Sequence, residues 1–335
     1  MKLFLALWHA RNLEFFRDRA ALAWTFVFPL LIVIGCAVAF SRPQTTVFTV
    51  GLHGDVAALE QQAWLARDFI RRVPLADLRR AQEQVRHHQL DLLISTDGQR
   101  YWYNPAAPRG VAITELLGAP LTDGLTAQPL SGAAVRYVDW VMPGILGMNM
   151  MFSALFGVGY VIVRYRQNGV LKRIQATPVT PLQFIGAQLG SRLWIVVAVT
   201  SSIFLGCAWA LDLLVLGSYG TLLLIAVTGA VALIALGLVI ASRTANEELA
   251  GGLLNIATWP MMFLSEVWFS LENAPDWLQG IASLLPLTHI VKAARAVMIE
   301  NATLLEIAPH LVALLAMTAV FTVIAASLFR WHSGR

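Results

Sequence analysis

The chain has 335 residues, of which 57% are hydrophobic and only 13% charged, with a formal net charge of +4. A soluble domain carries about 25% charged residues, so a deficit of this size excludes an ordinary globular protein and points to lipid as the main solvent. No nucleic-acid partner is expected, and the two cysteines, Cys36 and Cys207, both sit in apolar runs as small core hydrophobes, unable to form a disulfide framework.

In chain order, residues 1–19 mix aromatics (Phe4, Trp8, Phe15, Phe16) with charges (Arg11, Glu14, Arg17, Asp18, Arg19). The mixture suits a helix lying in the membrane interface or a positive flank of the span that follows, although Leu7 and Arg11 break its two faces. Ala20–Phe40 carries no charge and is long enough to cross a bilayer. Val33-Ile34-Gly35-Cys36 resembles a lipoprotein box, but the apolar run is longer than a signal core and begins after 19 residues, which argues against cleavage.

Residues 41–138 differ in kind, with ten Arg, nine Asp or Glu and no Lys. Phe48–His53, Leu90–Ser95 and Gln99–Tyr103 read as strands; Val56–Ile70, Ala76–His88 and Val111–Leu117 read as helices. A small α/β domain is expected, with 105–132 as its exit linker. Trp64, Tyr101, Trp102 and Tyr103 are read as its core, with an exposed aromatic surface as the alternative. His87-His88 reads as a solvated pair rather than a metal site.

Five further spans follow: Val141–Val163, Leu193–Leu211, the later part of Leu213–Ser242 after a turn near Gly217–Gly220, Leu249–Ser265, and Ile307–Phe329. The whole is an all-α polytopic membrane protein of six transmembrane helices with a small α/β extracytoplasmic domain. It divides into a 1–19 helix, a first span at 20–40, the 41–138 domain, and a five-helix region at 139–335. The apolar piece at 272–300 reads as a re-entrant or interfacial outer segment. Short loops rich in Arg and Lys mark the cytoplasm. Lys2, Arg11, Arg17, Arg19, Arg164, Arg166, Lys172, Arg173, Arg243, Arg330 and Arg335 fall on one side of a six-span chain, so both termini are expected to be cytoplasmic in a bacterial inner membrane.

The chain has no G-x-x-x-x-G-K-[ST], G-x-S-x-G, H-E-x-x-H or C-x-x-C motif, so catalysis and direct nucleotide binding are not expected. A proton- or sodium-coupled carrier usually places ionisable groups at midplane. Here Glu266, near the outer end of the fifth span, is the sole carboxylate of that kind, so energy is expected from elsewhere. Asn149, Asn255 and Glu266 are candidates to line a translocation path. Like Ser153 and Thr258, the two asparagines also suit plain helix-packing hydrogen bonds.

The loop at 164–181, Arg164-Tyr165-Arg166-Gln167-Asn168-Gly169-Val170-Leu171-Lys172-Arg173-Ile174-Gln175-Ala176-Thr177-Pro178-Val179-Thr180-Pro181, is basic and helix-compatible. It resembles the coupling segment of the type-2 permease family of ATP-binding-cassette exporters, through Gly169, Leu171, Lys172, Arg173, Thr177 and Pro178. The family's acidic residue before the glycine is replaced by Gln167-Asn168. Pro275, Trp277-Leu278, Pro286, Thr288-His289 and Arg295 resemble a second family series. The resemblance implies a permease subunit that binds no cofactor and moves substrate outward. A separate cytoplasmic ATPase that binds the ATP drives it, and the permease works as a homodimer or heterodimer. A periplasmic adaptor is left open, as is the substrate. The runner-up reading is an ion-coupled secondary transporter.

Overall fold

A chain segment in hydrocarbon must satisfy its own backbone groups, which leaves the helix as the local solution for each long apolar run. The computed structural model describes residues 2–39, 48–55, 65, 67, 69–88, 90–96, 99–118, 124–132, 135–170, 181–244, 246–271 and 274–328. These divide into two units, Ala39–Tyr137 and a second made of Met1–Val38 with Val138–Arg335.

The second unit is helical among its described residues. It contains α1 (Lys2–Arg17) and α2 (Arg19–Ala39), then, after the sheet unit, the 31-residue helix Tyr137–Gln167. Pro181–Leu211, Tyr219–Arg243, Glu247–Leu264, Asp276–Ala282, Pro286–Glu300 and Leu304–Leu328 complete it. Among the described residues, four helices are long and apolar enough to cross a membrane: Tyr137–Gln167, Gly186–Leu211, Tyr219–Ser242 and Leu304–Leu328. The pair Asp276–Ala282 and Pro286–Glu300, bent by 95°, adds a fifth if it is one broken span. The first expected span, 20–40, lies in α2, whose apolar part is Thr25–Ala37. The expected fifth, 249–265, lies in Glu247–Leu264, whose first turn carries Glu247 and Glu248.

Capping explains where several helices begin. The run from Leu213 to Ser242 breaks at 213–218, as the glycines there suggest, and Ser218 accepts the Gly220 N–H at 3.2 Å to start the next helix. Asn246 accepts from Glu248 N at 3.0 Å, with two glutamates favourably placed in the first turn. Pro286 opens Pro286–Glu300 at N1, and Asn301 closes it in the left-handed region at φ 52°. The core runs through Met151, Leu155, Val158, Leu233, Leu254 and Val291, all 3% exposed or less. Small residues let the helices approach closely. A Cβ at Gly159 would stand 3.0 Å from Leu254 and 3.4 Å from the Gly237 carbonyl.

The sheet unit holds β1 (Phe48–His53), β2 (Ile70–Pro74), α3 (Leu78–Arg86), β3 (Leu92–Ser95), β4 (Arg100–Tyr103), α4 (Pro108–Leu117) and β5 (Thr126–Pro129). The described strands run in the order β2-β1-β3-β4-β5, parallel except for the β3–β4 hairpin. Helix α5 is therefore Tyr137–Gln167, α6 Pro181–Leu211, α7 Tyr219–Arg243, α8 Glu247–Leu264, α9 Asp276–Ala282, α10 Pro286–Glu300 and α11 Leu304–Leu328.

Three of the expected strands and two of the helices are present at nearly the expected places. The expected helix at 56–70 falls mostly on residues outside the described ones, but its last residue, Ile70, begins β2. The stretch 105–132 is not a linker, since it carries α4 and β5. Asn104, 1% exposed, ties it down: its amide donates to the carbonyls of Arg86 at 2.7 Å and Gly132 at 3.1 Å, and its Oδ1 accepts from Ala106 N at 2.8 Å. Tyr101 and Trp102 are buried, as the core reading expected, and Trp102 Nε1 donates to Gln128 Oε1 at 2.9 Å. Tyr103 packs partly buried on the cluster that holds Tyr101, Trp102 belongs to a second cluster with Val85 and Leu93, and Trp64 lies outside the described residues.

Truncating Ile94, which is fully buried in the sheet core, removes methylenes from a site packed on both faces. Ile94→Ala is expected to destabilise the sheet unit by about 2–5 kcal/mol. Limited trypsin digestion of the full chain in membranes reads this directly, because Arg71, Arg72 and Arg100 lie on its strands. Cleavage there should accelerate while the helical unit stays protected; unchanged protection at all three would refute the packing.

Candidate functional site

Polar side chains in the helical unit collect in two groups. The first is built on the turn after α8. Ser265 closes that helix, and Glu266 follows in the left-handed region at φ 57°. This backbone turn brings a 6%-exposed carboxylate against two cations of α10. Lys292 Nζ lies 3.1 Å from Glu266 Oε1, and Arg295 Nη1 lies 3.5 Å from Oε2. Arg295 also donates from Nη2 to the Glu266 carbonyl at 2.9 Å and from Nε to the Trp140 carbonyl at 3.2 Å. Its guanidinium stands 3.8 Å from the centroid of the Trp140 ring, a cation–π contact.

Two further contacts hold this turn. Thr288 Oγ1 donates to Ser265 Oγ at 3.0 Å. Gly144 of α5 leaves room for the turn's backbone, since a Cβ there would stand 2.7 Å from the Val267 carbonyl. Next to it, His289 and His310 share a hydrogen bond at 2.9 Å between their Nδ1 atoms, and His289 Nε2 meets the Ser283 carbonyl at 2.8 Å. Thr288, His289 and Arg295 of the second sequence series thus each hold a defined contact.

The second group joins α1 to α5 and α6. Arg11 Nη1 donates to Glu14 Oε2 at 2.8 Å and to Tyr165 Oη at 3.3 Å, and its Nη2 to the Gly157 carbonyl at 3.3 Å. Tyr165 Oη donates to Glu14 Oε2 at 2.5 Å. Burial alone would raise the Glu14 carboxyl, but the Tyr165 hydrogen bond and the Arg11 charge outweigh it and hold it below the usual range. Ser191 Oγ donates to Asn12 Oδ1 at 2.5 Å, and Arg192 donates to both the hydroxyl and the carbonyl of Ser153. Arg11, which breaks the amphipathic pattern of α1, and its neighbour Asn12 are buried because they face this junction and not water. Arg166 donates to the carbonyls of Ala241 at 3.1 Å and Thr244 at 2.6 Å, capping α7 with a cation where its dipole is negative. Tyr160 Oη reaches Glu247 Oε2 of α8 at 2.6 Å.

The sequence candidates separate. Gly169 ends the turn after α5 at φ 64°, with open space where a side chain would stand. Leu171, Lys172, Arg173, Thr177 and Pro178 lie outside the described residues. Asn149 is 8% exposed, and its Nδ2 has no hydrogen-bond partner among the described residues; Asn255 is exposed on α8. No hydrogen bond among the described residues links Asn149, Asn255 and Glu266. Sequence reasoning singled out Glu266 and, through the second series, Arg295, but it did not pair them and did not reach Lys292. The signal was present, because Lys292 and Arg295 stand three apart on one apolar helix, where uncompensated charge is costly. Arg192, at the start of an apolar run, was available in the same way.

The fold is that of a polytopic helical membrane protein, with 31-residue helices at Tyr137–Gln167 and Pro181–Leu211. Residues 88–299 match the family model described as ABC-2 type transporter, and the chain belongs to that family. It is 28% identical over 201 residues to the daunorubicin resistance ABC transporter permease protein DrrB1 of Streptomyces coeruleorubidus, covering 58% of this chain and 69% of that one. It is 25% identical over 195 residues to the probable multidrug ABC transporter permease YbhR of Escherichia coli K12, covering 58% and 53%. It is 28% identical over 195 residues to nodulation protein J of Bradyrhizobium diazoefficiens, covering 56% and 71%. The match thus spans about half the length of the Escherichia coli protein.

Glu266→Gln removes one charge and leaves Arg295 buried beside a neutral amide. The expected loss is roughly 3 kcal/mol of stability, as for a buried pair broken from one side, seen as a lower thermal midpoint of the detergent-solubilised chain. The Glu266→Gln, Arg295→Gln double variant should recover more than additivity allows, with a coupling of about 1–3 kcal/mol. Strict additivity of the two single effects would show that the pair is not energetically linked.

Proposed function

We propose that this permease is the membrane half of an ATP-driven exporter. Six spans, α2, α5, α6, α7, α8 and α11, cross the inner membrane, with both termini in the cytoplasm. The sheet unit stands outside between the first and second spans, and α9–α10 forms a re-entrant segment on the same outer side. Two permeases, identical or different, pair and are driven by two copies of a cytoplasmic ATPase that binds the ATP. The family membership carries this reading. The basic residues Arg164 and Arg166 beside the Gly169 turn support its orientation.

Pairing is supported by one face of α8. Leu249, Leu253, Ile256, Trp259 and Phe263 are exposed there together with Asn255, and Gly252 has open space around it. An amide facing lipid is unfavourable, and a second permease would give it a partner. The names of two relatives, daunorubicin resistance and multidrug permease, support a drug-like small molecule as cargo. Asn149, Asn255 and Glu266 are the polar groups assigned to its path, Glu266 at the outer mouth.

Coupling is assigned to Gly169, Leu171, Lys172, Arg173, Thr177 and Pro178. A short helix ending at a Pro-fixed turn transmits the motion of the ATPase, where a loose loop would absorb it. Lys172 and Arg173 pair with acids on the ATPase, and Leu171 fills an apolar hollow on it.

Orientation is tested in a background lacking Cys36 and Cys207. An impermeant maleimide applied to intact cells should label a cysteine placed at Asp97 and not one placed at Asn168. Labelling at 168 would invert the topology.

Coupling is tested at Gly169, whose positive φ suits Gly or Asn and disfavours a bulky side chain. Gly169→Asn should keep ATPase co-purification and transport. Gly169→Trp should insert normally but lose both. A Gly169→Trp variant that stimulates ATP hydrolysis as well as the parent would remove this turn from the coupling route.

A further inference from the structure

A cavity of about 260 Å³ lies among α5, α6, α7 and α10. Its wall is apolar, formed by Leu146, Met150, Phe204, Leu222, Ile290 and Met298 among others. Leu205, Tyr219 and Leu223, also in its lining, are exposed on the outside of the helical unit, so the cavity opens sideways at a surface made for lipid. No part of it belongs to the Glu266 group or to the α1 junction.

One polar group in its wall stands out. Thr200 is 7% exposed, and its Oγ1 is buried without a hydrogen-bond partner. Several other hydroxyls in the helical unit return to a carbonyl one turn back: Ser202 to Ala198 at 2.7 Å, Thr228 to Leu224 at 2.8 Å, Ser242 to Val239 at 2.6 Å, Thr318 to Leu314 at 2.8 Å. Thr200 forgoes that bond, and an unmet hydroxyl in an apolar medium costs free energy. Water is a poor occupant, because a buried water needs about two to four polar partners and Thr200 Oγ1 is the one buried unmet polar atom of the described wall, the other two hydroxyl residues in the lining, Ser201 and Tyr219, not being buried. The wall instead suits an apolar body carrying one oxygen. The volume is close to the lower end of small-molecule pockets, roughly 300–1,000 Å³.

We propose that this cavity is a binding site for a membrane-dissolved amphiphile that enters sideways from the bilayer. Its chain or ring fills the space between α6 and α10, and its oxygen pairs with Thr200 Oγ1. The site goes beyond the exporter reading and holds whichever way cargo moves.

The test uses the purified full chain in phosphatidylcholine nanodiscs, with a palmitic acid carrying a diazirine in its chain as probe. Photolabelling should be saturable and fall on peptides spanning residues 200–226. Thr200→Val keeps the shape and removes the hydroxyl, and should weaken the apparent affinity about threefold to tenfold, the worth of one hydrogen bond. Ala226→Phe fills the cavity and should abolish labelling of those peptides. Ala294→Leu fills it from α10 and gives the same reading if Ala226→Phe does not fold. Competition by unlabelled palmitate identifies a free amphiphile; competition by added phospholipid alone identifies a bilayer acyl chain with the same chemistry. Labelling that stays unchanged in Thr200→Val and in the cavity-filling variant overturns the proposal, as does labelling that never saturates.

Discussion

Hydrocarbon offers no hydrogen bonds, and nearly every feature of the helical unit answers that fact. Backbone groups are met within each helix. Side chains that keep a charge are met by other helices. Glu266 is the clearest case: it sits on a left-handed turn, an arrangement that is sterically unfavourable, and there it meets Lys292, Arg295 and, through Arg295, Trp140. Breaking the turn would release the carboxylate, and moving the carboxylate would strand two cations. The two costs hold each other in place.

The same constraint gives α5 its importance. At one end its Trp140 holds Arg295, and Asp139, fully buried, accepts the Leu214 N–H at 3.0 Å. Toward the other end, Ser153, Tyr160, Tyr165 and Arg166 bond in turn to α6, α8, α1 and the last turn of α7. One continuous 31-residue helix, with Pro143 inside it, therefore touches both polar groups and ends beside the Gly169 turn. This gives the proposed coupling a physical route, in which displacement at the turn is felt at Glu266 through packing and not through a flexible loop.

The sheet unit obeys the opposite rule, because water competes for its polar groups. It manages its edges accordingly. The outer strands among those described, β2 and β5, both end in a proline, Pro74 and Pro129, and β2 carries Arg71 and Arg72 exposed. Proline and arginine on an edge discourage pairing with another chain.

The sequence by itself located the four described helices that are long and apolar enough to cross a membrane, because a long apolar run has one low-energy form in lipid; its two other expected spans, at 20–40 and 249–265, fall on helices that this measure leaves out. It also located β1, β3, β4, α3 and α4 by alternation and helical spacing. It did not show β2 or β5. Ile70-Arg71-Arg72-Val73 and Thr126-Ala127-Gln128 lack a strand's apolar alternation, since an edge strand takes its stability from one neighbour's backbone, which no local pattern records. The partners of Glu266 were equally hidden. Lys292 and Arg295 are 26 and 29 residues away in sequence, and only the turn at Ser265–Glu266 and the packing of α10 on α5 bring them within reach. The unmet hydroxyl of Thr200 looked like any other threonine in an apolar run. Whether such a group is satisfied depends on what the neighbouring helices place beside it, so tertiary packing alone decided it.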